Sequence, residues 1–228
     1  MFYMDYYYIV LVMPCIILAS IAQMMVSSSF GKYSKLASSR GFTGAQVARK
    51  ILDLNGLTDV TIEHIRGNLS DHYDPGKRVV RLSDSVYSST SVAALGVAAH
   101  ETGHAIQHSI GYKPLKLRSA DLPVVNFSSK IAIPLAVSGF VMQMEFLISF
   151  GILLFSAVVL FQVITLPVEF NASRRALKIL GETNLLADPE VKAASKVLRA
   201  AALTYVASAL TAVMNLLRLI ILANNRRD

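Results

Sequence analysis

Residues 122–168 read LPVVNFSSKIAIPLAVSGFVMQMEFLISFGILLFSAVVLFQVITLPV. The stretch 122–144 carries one charge, Lys130, near enough to an end to snorkel toward an interface. The stretch 146–168 carries none, and only Gln143, Met144 and Glu145 bridge the two. Each matches the roughly 20 apolar residues that take a helix across a bilayer, so the pair predicts a tight helical hairpin in a membrane.

Two more apolar stretches flank the hairpin. Residues 6–31 have no charged side chain, and residues 200–223 have only Arg218, close to the end. With Asp5 the one charge ahead of the first stretch, that stretch reads as an uncleaved anchor; a secretory signal would begin with Lys or Arg. Of the 228 residues, 54% are hydrophobic and 16% charged, and the mean hydropathy is +0.49. That balance excludes a disordered chain and is too apolar for an ordinary soluble domain. A single cysteine, Cys15, excludes a disulfide framework and a four-cysteine zinc site. On such a chain the net charge of +7 points to lipid, and no interleaving of aromatic and basic residues supports a nucleic-acid partner.

Charge also predicts orientation. No Lys or Arg precedes Lys32, 13 lie between residues 32 and 130, and six lie between Arg174 and Arg199. The positive-inside rule places both basic segments in the cytoplasm and the N-terminus outside; Arg226 and Arg227 then fall on the outer face, a mild disagreement.

The polar segment before the hairpin has local structure of its own. Thr43 can cap a helix over Gly44–Leu54, with Val47, Ile51 and Leu54 on one face and Asn55-Gly56 as its stop. Asp59–Glu63 alternates, Val60 and Ile62 inward, as a half-buried strand does. His64 continues that inward face and reads as a polar residue at the strand end. Tyr73-Asp74-Pro75-Gly76 has turn chemistry, and Lys77–Leu82 reads as a second strand.

Chemistry concentrates in Ser91–His108, an alanine-rich helix with Thr90 or Ser91 as cap. It contains His100-Glu101-Thr102-Gly103-His104. A spacing of four puts both imidazoles on one helix face, where they can reach one metal ion. Glu101 stands about 100° around the helix, beside the ligands, where a carboxylate can take a proton from an activated water and return it to a leaving amine. His108 extends the series, but about 12 Å of helix separates it from His100, too far for one ion to meet both. It reads as a polar neighbour of the site.

A catalytic zinc commonly takes three protein ligands and keeps one position open. Carboxylates further along are Glu145, Glu169, Glu182, Asp188 and Glu190. Glu145 sits in the hairpin turn, and the last three sit near the turn signals Gly181 and Asp188-Pro189. Glu169 follows Leu166-Pro167-Val168 at the end of an apolar helix, where a lone carboxylate calls for a partner. That partner is the metal or, on the competing reading, Arg174 or Arg175.

At these residues the chain resembles a known family. Val97-Ala98-Ala99 followed by His100-Glu101-Thr102-Gly103-His104-Ala105-Ile106-Gln107, the stretch Asp71-His72-Tyr73-Asp74-Pro75, and Pro167-Val168-Glu169-Phe170-Asn171-Ala172-Ser173 together resemble the YugP-type neutral zinc metallopeptidases of bacterial membranes. More distantly the layout is similar to the HtpX and CAAX-prenyl membrane peptidases, gluzincins whose third ligand is a glutamate of a later helix. The resemblance implies one Zn2+ per chain on His100, His104 and Glu169, with Glu101 as general base and then general acid. In the wider group an aspartate four residues after the glutamate supports a zinc histidine. Here that position is Ser173, so Asn171 or Ser173 would have to serve.

The expected fold is mainly α: an integral membrane protein with about four transmembrane helices and a small α+β zincin-like catalytic unit. The expected layout is an anchor over 1–31, a cytoplasmic α+β segment over 32–121, the hairpin over 122–168, a cytoplasmic helix over 169–199 and a last transmembrane helix over 200–228. The expected activity is cleavage of polypeptides, membrane proteins among the candidates, at the cytoplasmic face of the bacterial plasma membrane. Oxyanion stabilisers are sought among His72, Tyr73, Arg174 and Arg175, and the Lys77–Leu82 strand is a candidate edge for an extended substrate. A membrane scaffold that kept its zinc site is the alternative. A metal transporter fits poorly, since its ligands would line several spans at mid-membrane.

Overall fold

The computed structural model describes residues 5–225, without the side chains of 121–123; Arg226 and Arg227 lie outside the described residues. The chain forms two compact units, one from Met1–Ala22, Lys116–Pro167 and Leu203–Asp228, the other from Gln23–Leu115 and Val168–Ala202. Among the described residues, four helical segments are long and apolar enough to cross a membrane: Tyr8–Tyr33, Val124–Met142, Glu145–Glu182 and Asp188–Asn224. The protein is mainly α, with a small β part, as its sequence predicts.

In the first unit a π-helical turn, Tyr8–Val12, leads into α1, Met13–Tyr33. The hairpin helices are α4, Lys113–Met142, and α5, Glu145–Glu182; the last helix, α6, is Asp188–Asn224. Gln143, at φ +61°, and Met144 make the turn between α4 and α5, and Met144 N–H donates to the Gly139 carbonyl at 2.9 Å. Small residues let the two backbones close up. A Cβ on Gly151 would lie 2.8 Å from Ala136 Cβ and 2.9 Å from the Ala132 carbonyl. Ala132, Ala136, Phe155 and Leu219 form the buried centre. Large apolar side chains such as Ile17, Phe146, Leu153 and Leu160 face outward, which suits lipid. At one end Arg218 Nε donates to Asp5 Oδ2 at 2.9 Å, with the guanidinium 5.2 Å from the Tyr8 ring centre. Asn225 Nδ2 donates to Tyr7 Oη at 2.9 Å, so the start of the first helix and the end of α6 are joined.

The second unit holds a three-stranded sheet and the helix α3. The helix α2, Gly44–Leu54, forms where the sequence places it, closed by a full capping box between Thr43 and Gln46. Strands β1 (Thr61–Ile65), β2 (His72–Asp74) and β3 (Val79–Ser83) lie in the order β1-β3-β2. β1 runs parallel to β3, Thr61 opposite Val79, and β2 antiparallel, Tyr73 opposite Val80. Three sequence expectations change here. The first strand starts two residues later than expected, although Val60 is buried and Ile62 half-buried. His64 faces outward, bonded to Asp84 Oδ1 at 2.7 Å. The expected edge strand is the central one, paired on both sides, so the edges are β1 and β2. β2 hides from a sequence reading because it is three residues long and abuts the turn signals of Pro75-Gly76.

The helix α3, Val92–Ser109, is N-capped by Ser91, whose side chain accepts from Ala94 N–H at 3.3 Å. It runs through the core made by Ile51 and Leu52 of α2, Val80 and Leu82 of β3, Ala176 and Leu180 of α5, and Ala194 and Leu198 of α6.

Candidate metal centre

Where α3 meets α5, Gly103 faces Ala172. A Cβ on Gly103 would lie 2.8 Å from the Ala172 carbonyl oxygen and 3.3 Å from its Cα, so only glycine permits this approach. The consequence is felt one turn away in both helices, where His100 and His104 of α3 meet Glu169 of α5.

Three ligand atoms converge. His100 Nε2 lies 3.2 Å from Glu169 Oε2, His104 Nε2 lies 3.2 Å from His100 Nε2, and His104 Nε2 lies 3.5 Å from Glu169 Oε2. Among the described residues these three form a group that could hold a metal ion. The triangle fits zinc: with bonds of 2.0–2.2 Å, neighbouring ligands of a tetrahedral ion stand about 3.3–3.5 Å apart. Glu169 is 2% exposed, a carboxylate that needs compensation, and both histidine rings are largely shielded from solvent.

The second ring nitrogens are engaged as well. His100 Nδ1 meets Ser173 Oγ at 3.1 Å, and His104 Nδ1 meets Gln107 Oε1 at 3.1 Å. Burial alone would push the His104 imidazole below its usual value. The Glu169 hydrogen bond and charge, the charge of Glu101 and the Gln107 contact outweigh burial and carry it upward. Glu101, 8% exposed, stands one residue from His100, and among the described residues no side-chain hydrogen bond ties it elsewhere.

The other residues singled out by sequence are placed as follows. His108 is outside the cluster; its Nδ1 lies 2.8 Å from Tyr73 Oη, which joins the end of α3 to the edge strand β2. Burial holds the Tyr73 phenol above its ordinary range. His72 is exposed, with Nδ1 on the Ser70 carbonyl at 2.9 Å and Nε2 3.3 Å from Arg81 Nη1. Arg174 is exposed, whereas Arg175 donates through Nε to Asn171 Oδ1 at 2.8 Å. Sequence reading overlooked Gln107. Its signal was there: a glutamine three residues after His104, in a stretch otherwise made of Ala105 and Ile106.

Comparison with known proteins agrees with this geometry. Residues 8–224 match the family described as "Putative neutral zinc metallopeptidase". Over 207 residues the chain is 53% identical to a protein of Bacillus subtilis (strain 168) named "Putative membrane protease YugP", covering 91% of this chain and 92% of that one. No solved structure matches.

Proposed function

Because the chain belongs to this family of neutral zinc metallopeptidases, we propose that it is a membrane-embedded endopeptidase of the gluzincin kind, acting through His100-Glu101-x-x-His104 and Glu169. One observation carries the reading: two histidines and a buried glutamate close a triangle of 3.2–3.5 Å, with a shielded carboxylate, Glu101, on the adjoining position of α3.

His100, His104 and Glu169 would hold one zinc ion, which would supply a Lewis acid for a peptide carbonyl and for the attacking water. Glu101 takes the proton of that water and passes it to the nitrogen of the departing amine, first as base, then as acid. Tyr73 and Arg174 are the side chains of this chain we assign to the oxyanion, Tyr73 held in place by His108. The substrates are polypeptides that reach the bilayer surface, and the site faces the cytoplasm, on the side where the Lys and Arg residues accumulate.

The test is metal content beside casein cleavage on detergent-purified wild type, Glu101→Gln and Glu169→Ala. We expect about one zinc per chain in wild type, zinc without cleavage in Glu101→Gln, and loss of both in Glu169→Ala. Zinc in the wild type with cleavage indifferent to Glu101 would leave a scaffold with a metal site, and a wild type without metal would end the enzyme reading.

A further inference from the structure

Four polar contacts behind His104 form a chain with a fixed direction. Arg175 Nε donates to Asn171 Oδ1 at 2.8 Å. Gln107 Nε2 donates to the same Asn171 Oδ1 at 3.0 Å and to the Val168 carbonyl at 2.8 Å. Gln107 Oε1 then faces His104 Nδ1 at 3.1 Å. Gln107 is fully buried, so no water competes for its amide.

The direction follows from the two ends. A guanidinium has only donors and a backbone carbonyl only accepts. Arg175 therefore requires the oxygen of the Asn171 amide at its position, and that oxygen requires a donor from Gln107. The Val168 carbonyl makes the same demand of Gln107. Both demands fall on Nε2, so Oε1 is the atom left for the imidazole, and Oε1 can only accept. His104 must carry a proton on Nδ1, so Nε2, on the side of Glu169 Oε2 and His100 Nε2, is the nitrogen that can give up its proton to hold a metal. Reversing the Gln107 amide would set its oxygen against two other oxygens in a buried place, a costly arrangement.

We propose that Gln107, oriented by Asn171 and Arg175, is the positioning residue that fixes the tautomer of His104 for metal binding. This inference rests on the zinc reading given above. Groups that grip the outer nitrogen of a ligating histidine are commonly carboxylates or backbone carbonyls. Here a neutral amide does the work, and its orientation is set by a cation two residues along the relay. The three relay residues sit on the two helices that supply the ligands, Gln107 on α3, Asn171 and Arg175 on α5.

The experiment is zinc affinity, measured by chelator competition on the full-length chain in detergent, for wild type, Gln107→Leu, Asn171→Leu and Asn171→Asp. Losing the partner of a ligating histidine typically costs 10–100-fold in metal affinity, the loss expected for Gln107→Leu and, with the relay cut one step earlier, for Asn171→Leu. An aspartate at 171 still accepts from both Gln107 and Arg175, so Asn171→Asp keeps the wild-type affinity, a rescue that loss of packing alone would not show. If both leucine variants bind zinc as wild type does, or if Asn171→Asp is as weak as Asn171→Leu, the proposal is overturned. Should Gln107→Leu fail to fold, the Asn171 pair decides alone. A wild type that binds no zinc would overturn the metallopeptidase reading itself, an outcome distinct from normal wild-type binding that the variants leave unchanged.

Discussion

A methyl group added at Gly103 would sit 2.8 Å from a backbone oxygen, and a backbone oxygen cannot rotate away. Alanine is the better helix former by about 1 kcal/mol, but overpacking of this kind costs about 1–3 kcal/mol, and it would push apart the two helices that carry His100, His104 and Glu169. Gly103→Ala should therefore lower the thermal midpoint and weaken zinc affinity about tenfold or more; affinity equal to wild type would show that the triangle tolerates separation of α3 from α5. At this scale the grouping of His100 with His104 was legible, because a spacing of four puts two side chains on one helix face. The sequence said less about Glu169, for which Arg174 or Arg175 stood as competing partners. Gln107 stood out only as a polar residue after Ala105 and Ile106, and its role depends on which atoms of α5 come to face it.

Among the elements, the β2–β3 turn is tied by one carboxylate. Asp74 Oδ1 accepts from Gly76 N–H at 3.0 Å and Lys77 N–H at 3.1 Å, while Oδ2 accepts from Arg81 Nη1 at 3.0 Å. The Lys77 amide and then Arg81 hold the Asp74 carboxyl below its ordinary value of 3.8. A folded-state value lowered in this way contributes stability that is present above 3.8 and lost as pH falls through the lowered value. Asp74→Asn keeps the turn acceptor but not the charge. Its thermal midpoint should lie below that of wild type at neutral pH, with the gap closing in acid; a gap that stays constant down to about pH 2 would mean the charge contributes nothing to folding. Helices α2 and α3 were legible nearly to the residue, since caps and periodicity are local signals. The sheet was not, because the pairing of β1 with β3 is made across the chain and β2 is too short to show a period.

At the scale of the molecule, the Asp5–Arg218 pair and the Tyr7–Asn225 contact bring the start of the first helix and the end of α6 together, the arrangement that four crossings would give. On the proposed orientation, with the basic segments in the cytoplasm, their face is the outer one. In a Cys15→Ala background, cysteines placed next to either terminus should react with an impermeant thiol reagent from outside, and Gly76→Cys only once the membrane is opened. Termini that label from opposite sides would contradict a fourth crossing. The four apolar stretches were plain in the sequence because length and lack of charge suffice to mark them; the ion pair that joins the ends spans the whole chain, and nothing local announces it. The order in which the ligands are synthesised has its own consequence. Glu169 follows His100 by 69 residues, and the apolar hairpin lies between them. At 5–20 residues per second, about 3–14 s pass between the two. During that interval a nascent chain holds His100 and His104 without Glu169. On the proposed zinc centre, all three ligands would be available only once the hairpin has been synthesised, and a chain that stalls before that point would lack a complete centre.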